Sequence, residues 1–240
     1  MRHPLSSVGF ATNPKKPKAR GLRRQISRFL RSNGVHIRPP ARAQVLITIG
    51  GDGTILYNKN RYRRPVWAIG SDTSFICQSN RKRWKKELEP LVRRGFSVER
   101  RLMLSATLNN KALPDALNEV VVRSQHHRVL RIKLRVGRKT FRFSADGLIF
   151  AAPTGSTGYA YSAGGKEMRT TDNRYQVVPI APYRRAFKPV IVPASTVCRI
   201  ELMNRCRADA VVDGQMHRPI RKGSILVVRK AKRALEYVKK

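Results

Sequence analysis

Cysteine is scarce in this sequence, and acid is scarcer still relative to base. Three cysteines, Cys77, Cys198 and Cys206, occur in 240 residues without a CxxC pair. That number and spacing exclude a disulfide-stapled secreted scaffold and a zinc ribbon, and point to a reducing cytoplasm. No apolar run approaches the roughly 18 residues of a membrane span. The opening stretch MRHPLSSVGFATNPKKPK has too little apolar length for a secretory signal. The expectation is a soluble cytoplasmic chain. Asp and Glu total 14 against 51 Lys and Arg, a formal charge of +37, which excludes an ordinary neutral globule. Yet 41% of residues are hydrophobic and they are spread along the whole chain, which excludes a disordered polybasic polymer.

The charge predicts attraction to polyanions through counterion release and steering, without specificity. Arginine outnumbers lysine 34 to 17, which suits bidentate contacts with phosphate or carboxylate. The basic residues are scattered through every segment, and no zinc-finger, RRM or KH signature is present. Acids carry more information because they are few. None of His3, His36, His126, His127 or His217 has metal-ligand spacing.

Ser7 to Ala11 reads as a buried strand, broken by Asn13-Pro14-Lys15-Lys16-Pro17. In the helix that follows, Leu22, Ile26, Phe29 and Leu30 share one face, Arg24, Arg28 and Arg31 lie opposite, and Gly34 is placed as a left-handed cap. Val35-His36-Ile37 is a second short strand candidate. Val45 to Ile49 is uniformly apolar or β-branched, as a strand buried on both faces of a parallel sheet should be. A strand at Val66 to Ile69 and a helix bearing Trp84, Leu88, Leu91 and Val92, closed by Gly95, complete a small α/β domain over residues 1–100. From about residue 100 the hydrophobic period changes to two. Leu102, Leu104, Ala106 and Leu108 share a face, as do Leu130, Ile132, Leu134 and Val136. Asn109-Asn110-Lys111 and Gly137-Arg138 read as hairpin connections. Further strand candidates are Ala116 to Val122, Gly147 to Ala151, Gln176 to Ile180, Val197 to Leu202, Ala210 to Val212 and Ile225 to Val228. Residues 101–240 are therefore expected to form a β-rich domain.

Three motifs carry candidate chemistry. Gly50-Gly51-Asp52-Gly53-Thr54 follows a buried strand, where a glycine-rich turn lets backbone N–H groups approach an anion and the next segment's N-terminus adds a favourable dipole. It is neither a Walker loop nor a GxGxxG fingerprint. A carboxylate placed among phosphates is costly unless it accepts a proton from a hydroxyl or faces a metal, which makes Asp52 the candidate catalytic group. The second motif runs from Asp146-Gly147 through Pro153-Thr154-Gly155-Ser156-Thr157-Gly158-Tyr159 to Ser162 and Gly164-Gly165. Its hydroxyls and phenols suit hydrogen bonding to ribose and base edges. The third, Asn118-Glu119 before Val120-Val121-Val122, is weak alone. Asp213-Gly214 reads as a type I′ hairpin turn.

The ordered set of GGDGT, NE, DG with PTGSTGY and a GG pair, Val178-Pro179-Ile180-Ala181-Pro182, and DGQ at 213–215 resembles the NAD kinases over nearly the whole chain. GGDGT alone is shared with diacylglycerol and sphingoid-base kinases. The resemblance implies a small Rossmann-like α/β domain, then a β-sandwich-like domain, with the site in the cleft between them. It implies transfer of a terminal phosphoryl group from ATP or polyphosphate, with Mg²⁺, to the adenosine 2′-hydroxyl of NAD, in a homodimer or homotetramer. Asp52 would orient or deprotonate that hydroxyl, and Gly50, Gly51, Gly53 and Thr54 would shape the phosphate loop. Asn118 and Glu119 would hold the adenosine end and Asp146 would contact the nicotinamide side. Thr154, Ser156, Thr157, Tyr159 and Ser162 would line the nucleotide pocket. The chain departs from the family pattern at Gly70 to Ile76, at Gly158 and at Tyr183. The alternatives are another kinase with the GGDGT loop, acting on a lipid or sugar, and a basic, non-catalytic relic that binds nucleic acid.

Overall fold

A computed structural model describes every residue except 1, 14–16, 126 and 127. The Pro14 to Lys16 break, His126 and His127 lie outside the described residues. The chain divides into two compact units, residues 1–100 with 235–240, and residues 101–234.

In the first unit, strands β1 (Ser7–Thr12), β2 (His36–Ile37), β3 (Val45–Ile49), β4 (Val66–Gly70), β5 (Ser79–Asn80) and β6 (Ser97–Arg101) alternate with helices α1 (Pro17–Ser32), α2 (Asp52–Asn58) and α3 (Trp84–Arg94). Strands β1 and β2, β1 and β3, and β3 and β4 all pair in parallel. Every residue of β3 and β4 is buried, which explains their unbroken apolar composition: a parallel strand between two covered faces has no solvent side to mark with polar residues. Helix α1 buries Ala19, Leu22, Ile26 and Leu30. It ends as its glycine predicts: Gly34 has φ 76°, and the Gly34 and Val35 amides donate to the Arg31 and Leu30 carbonyls at 3.1 and 2.9 Å, the paired bonds of a Schellman cap. Gly95 closes α3 with φ 72°.

The second unit begins with β7 (Leu104–Leu108), β8 (Lys111–Ala112), β9 (Glu119–Ser124), β10 (Leu130–Val136), β11 (Lys139–Ala145) and β12 (Gly147–Ala151). After the short helix α4 (Tyr159–Ser162) come β13 (Arg174–Ile180), β14 (Val190–Pro193), β15 (Cys198–Leu202), β16 (Ala208–Val212), β17 (Met216–Ile220) and β18 (Ile225–Lys230). They form two six-stranded sheets, β11-β10-β15-β18-β7-β8 and β14-β13-β12-β9-β16-β17. One core joins their inner faces, with Leu104, Ile132, Leu134, Ile200 and Val228 from the first and Val120, Val122, Leu148, Phe150 and Val177 from the second. This is sandwich packing. The second sheet also buries its other face: Val121, Ile149, Ala151 and Val178 pack with Ala160 of α4 and half-buried Tyr159.

One boundary is corrected. The last strand, β19 (Leu235–Lys239), leaves the β-rich part and lies between β4 and β6, with Tyr237 in parallel register with Val66. Residues 235–240 therefore belong to the first unit. Leu235, Tyr237 and Val238 are buried there. A strand of alternating Leu-Glu-Tyr-Val carries no mark of which sheet it joins.

Candidate active site

The glycine-rich loop leaves the carboxyl end of β3 beside that of β1, where the Asn13 amide donates to the Ile49 carbonyl at 3.1 Å. With the order β2-β1-β3-β4, successive connections diverge here to opposite sides, the switch point at which open α/β sheets bind ligands. A Cβ on Gly50 would lie 2.3 Å from Thr54 Oγ1 and 2.8 Å from Asn13 Cβ, so only glycine lets these side chains close in. Gly51 carries φ 114°. Asp52 opens α2 with its carboxylate turned toward residues 75–77. The Phe75 amide donates to Oδ2 at 2.9 Å, and the Ile76 amide and the Cys77 thiol donate to Oδ1 at 3.2 and 3.3 Å. A carboxylate has about four lone-pair positions, so three donors fix its orientation and leave room for an incoming hydroxyl. A hollow of about 340 Å³ covers the loop, bounded by Asn13, Gly50 to Thr54, Ser71, Thr73 and Ser74. Thr54 Oγ1 is buried there without a hydrogen-bond partner.

In the second unit, register brings the NE pair and the PTGSTGY loop together. Ala151 of β12 pairs with Glu119 of β9, and the Ala152 amide donates to the Asn118 carbonyl at 2.8 Å. A Cβ on Gly155 would stand 2.3 Å from that carbonyl oxygen, so the loop lies directly on the Asn118 backbone. Asn118 Oδ1 and Thr154 Oγ1 are both buried without partners. Unsatisfied buried polar atoms are costly and rare, and these two lie on adjoining segments.

Asp213 supports this cluster. The turn it opens is the expected hairpin, with Asp213 and Gly214 at φ 51° and 64° and the Gln215 amide donating to the Val212 carbonyl at 3.0 Å. The buried carboxylate does more: Oδ1 accepts from the amides of Asn118 (2.8 Å) and Glu119 (3.1 Å), and Oδ2 from that of Leu117 (3.0 Å). Burial, and secondarily the charge on Asp213, push the Glu119 carboxyl up to about 7. Sequence reasoning missed both this role and the Phe75 to Cys77 donors. The scarcity of acids was a signal for Asp213; nothing local marked the backbone amides.

Ser156, expected to line the nucleotide pocket, is fully buried; its Oγ donates to the Pro153 carbonyl at 2.7 Å and accepts from the Met168 amide at 2.9 Å, so the hydroxyl locks the loop. Asp146, expected on the nicotinamide side, is exposed at the opposite end of β12 from Glu119, across five strand residues, or about 17 Å. It neighbours the turn at 181–185, where Ala181, Arg184 and Arg185 have φ of 44°, 50° and 54°. Thr157 in the PTGSTGY loop and Ser162 at the end of α4 are exposed, while Tyr159 packs on the outer face of the sheet.

A glycine loop with one oriented carboxylate is equipment suited to phosphoryl transfer to a hydroxyl. The family described as the ATP-NAD kinase C-terminal domain matches residues 117–240. The chain is 34% identical over 204 residues to an NAD kinase of Methanothermobacter thermautotrophicus, covering 82% of this chain and 72% of that one. It is 28% identical to an NAD kinase of Heliobacterium modesticaldum, covering 98% and 94%. Among solved structures, yeast NADH kinase complexed with NADH superposes with a TM-score of 0.88 at 23% identity, over 99% of this chain and 84% of that one. An Archaeoglobus fulgidus NAD kinase in complex with ATP gives 0.80 at 26% identity, over 98% and 93%. The chain belongs to the NAD kinase family, enzymes that phosphorylate NAD.

Proposed function

We propose that the chain transfers the terminal phosphoryl group of ATP to the adenosine 2′-hydroxyl of NAD, giving NADP, with Asp52 as the proton acceptor. The observation that carries this reading is the Asp52 carboxylate, held by three donors at the mouth of a glycine-lined hollow with lone-pair capacity to spare. Phosphoryl transfer needs little covalent help, so positioning and charge neutralisation do most of the work. Asn118, Glu119 and Thr154 are assigned to the adenosine end of NAD because their segment holds the unsatisfied groups. The two rival readings lose ground here: the family to which the chain belongs favours NAD over a lipid or sugar as acceptor, and a non-catalytic relic has no use for an oriented Asp52.

Among the described residues no group of three or more His, Cys, Asp or Glu side chains could cage a metal. Mg²⁺ keeps waters and substrate phosphates as ligands, so it would be held here with the donor, leaving Asp52 to the hydroxyl. When bound, the ion neutralises charge on the donor phosphates. We assign the protein to a reducing cytoplasm, on the scarcity and spacing of its three cysteines. Among the described residues no helix is long and apolar enough to cross a membrane. A homodimer or homotetramer is proposed. Sedimentation velocity measures that assembly. Weak nucleic-acid association through the +37 charge completes the list of partners.

The deciding experiment is a coupled assay for NADP, with ATP and polyphosphate as donors and NAD, NADH, a diacylglycerol and fructose 6-phosphate as acceptors. NADP formation is expected. Transfer only to a lipid or sugar contradicts the reading.

A further inference from the structure

The second unit carries an arginine-lined hollow for which the transfer chemistry has no use. It is open, about 780 Å³ in volume, and Arg128, Arg205, Arg207, Arg221 and Lys222 border it. All five are exposed to solvent. They come from three connections at one end of the sandwich: Arg128 precedes β10, Arg205 and Arg207 lie between β15 and β16, and Arg221 and Lys222 lie between β17 and β18. Gln125, at the edge of the hollow, follows the last residue of β9, whose first residue is Glu119. The hollow therefore stands about 20 Å along the strand from the NE pair.

Hydrogen bonds tie these connections together. The Gln125 amide donates to the Arg207 carbonyl at 2.9 Å, and the Gly223 amide to the Leu202 carbonyl at 3.0 Å. Asn204 Oδ1 accepts from the Arg131 amide at 2.9 Å, and its Nδ2 donates to the Val129 carbonyl at 3.0 Å. The backbone thus holds like charges around one space from which freer loops would let them part. No acid offsets them. Among the described residues none lines the hollow, and none of the five cations is in an ion pair. The acids on neighbouring strands have other partners: Asp209 accepts the Gln125 side-chain amide at 2.7 Å, and Glu201 pairs with Lys133 at 3.3 Å. Around α3, by contrast, Glu87 and Glu89 meet Arg83 and Arg93.

Guanidinium groups held in place suit bidentate contacts with oxyanions. A phosphate monoester carries about −1.5 to −2 at pH 7, so three of them balance five cations, whereas a tricarboxylate leaves a surplus. We propose that the hollow binds a compact small molecule bearing three or more phosphate groups. Convergence of three connections on one space matches a compact anion; an extended strand asks for a row of cations, such as α1 carries. The inference goes beyond the NAD kinase reading and shares no residue with it.

The probe is myo-inositol hexakisphosphate, titrated by calorimetry in about 150 mM KCl, close to physiological ionic strength. Micromolar binding is expected. Arg205→Ala with Arg207→Ala should weaken it tenfold or more, while Arg24→Ala with Arg28→Ala, which removes the same charge from α1, should change it less than twofold. Equal weakening by the two pairs would report only the diffuse field of the whole chain and overturns the proposal, as does absence of binding to the unaltered protein. Citrate should bind at least tenfold more weakly than the probe; equal affinity overturns the assignment to phosphates. Alkylation locates the site without a substitution. Cys206 lines the hollow and is half-buried, so the probe should slow its reaction with N-ethylmaleimide, read by peptide mass. Slowing confined to Cys77, which donates to Asp52, would place the anion at the glycine loop and overturn the proposal. Both measurements read binding alone, so absence of NADP with every donor would sink the functional reading without touching this result.

Discussion

Asp52 takes two of its three donors from the Phe75 and Ile76 backbone amides, which many side chains could accompany, and the third from the Cys77 thiol. Asp52→Asn keeps the shape and removes the base. Turnover is expected to fall by about 10² to 10⁴, with NAD affinity by calorimetry within a few-fold. Asp213 has a different task. Asp213→Ala leaves three amides at Leu117, Asn118 and Glu119 without their acceptor. At about 1–3 kcal/mol for each buried unsatisfied group, the loss is about 3 kcal/mol or more, visible as a lower Tm and a raised KM for NAD. Glu119 supplies a pH dependence. Folding raises its pKa from 4.5 to about 7, so the folded state favours the protonated acid. The stability this provides is complete below the ordinary carboxylate range and is lost as pH rises through 7, up to about 3 kcal/mol. Tm should fall between pH 5 and 8.5, and Glu119→Gln should flatten the curve; an unchanged slope in that variant contradicts the assignment.

Among the elements, legibility followed burial. Val45–Ile49 and Gly147–Ala151 have the bounds their composition predicts, because strands covered on both faces are apolar throughout and stop where the glycine or proline begins. The Schellman cap at Gly34 was equally plain. Strands β11, β17 and β19 were not, because Lys139–Ala145, Met216–Ile220 and Leu235–Lys239 mix charge with apolar residues and owe their conformation to their partners. The site shows the same division. GGDGT stands out by type and spacing, whereas Asn118 is weak alone and the Ser156 lock and the place of Asp146 at the far end of β12 depend on packing and register, which residue identity does not encode. Contact between the PTGSTGY loop and β9 gives a sharp prediction. Gly155→Ala drives a methyl into the Asn118 backbone and should cost about 1–3 kcal/mol, with KM for NAD rising more than KM for ATP.

For the molecule as a whole, +37 is the feature that catalysis does not require. Helix α1 alone presents Arg20, Arg23, Arg24, Arg28 and Arg31 along an open hollow of about 940 Å³, with like charges at i,i+3 and i,i+4 that repel one another. Polyanions relieve that repulsion. Association with duplex RNA should weaken by about 10³ or more between 50 and 200 mM salt, read by anisotropy; salt-insensitive binding would indicate a specific interface instead. Function itself does not hinge on this field. It hinges on a phosphoryl group moving to NAD under the control of Asp52, and the direct measurement is transfer of label from γ-³²P-ATP to NAD by the unaltered protein and by Asp52→Asn at matched NAD occupancy. The account predicts labelled NADP that serves an NADP-dependent dehydrogenase in the first case and a trace in the second. Equal labelling by both proteins, or a product that dehydrogenase rejects, would contradict it.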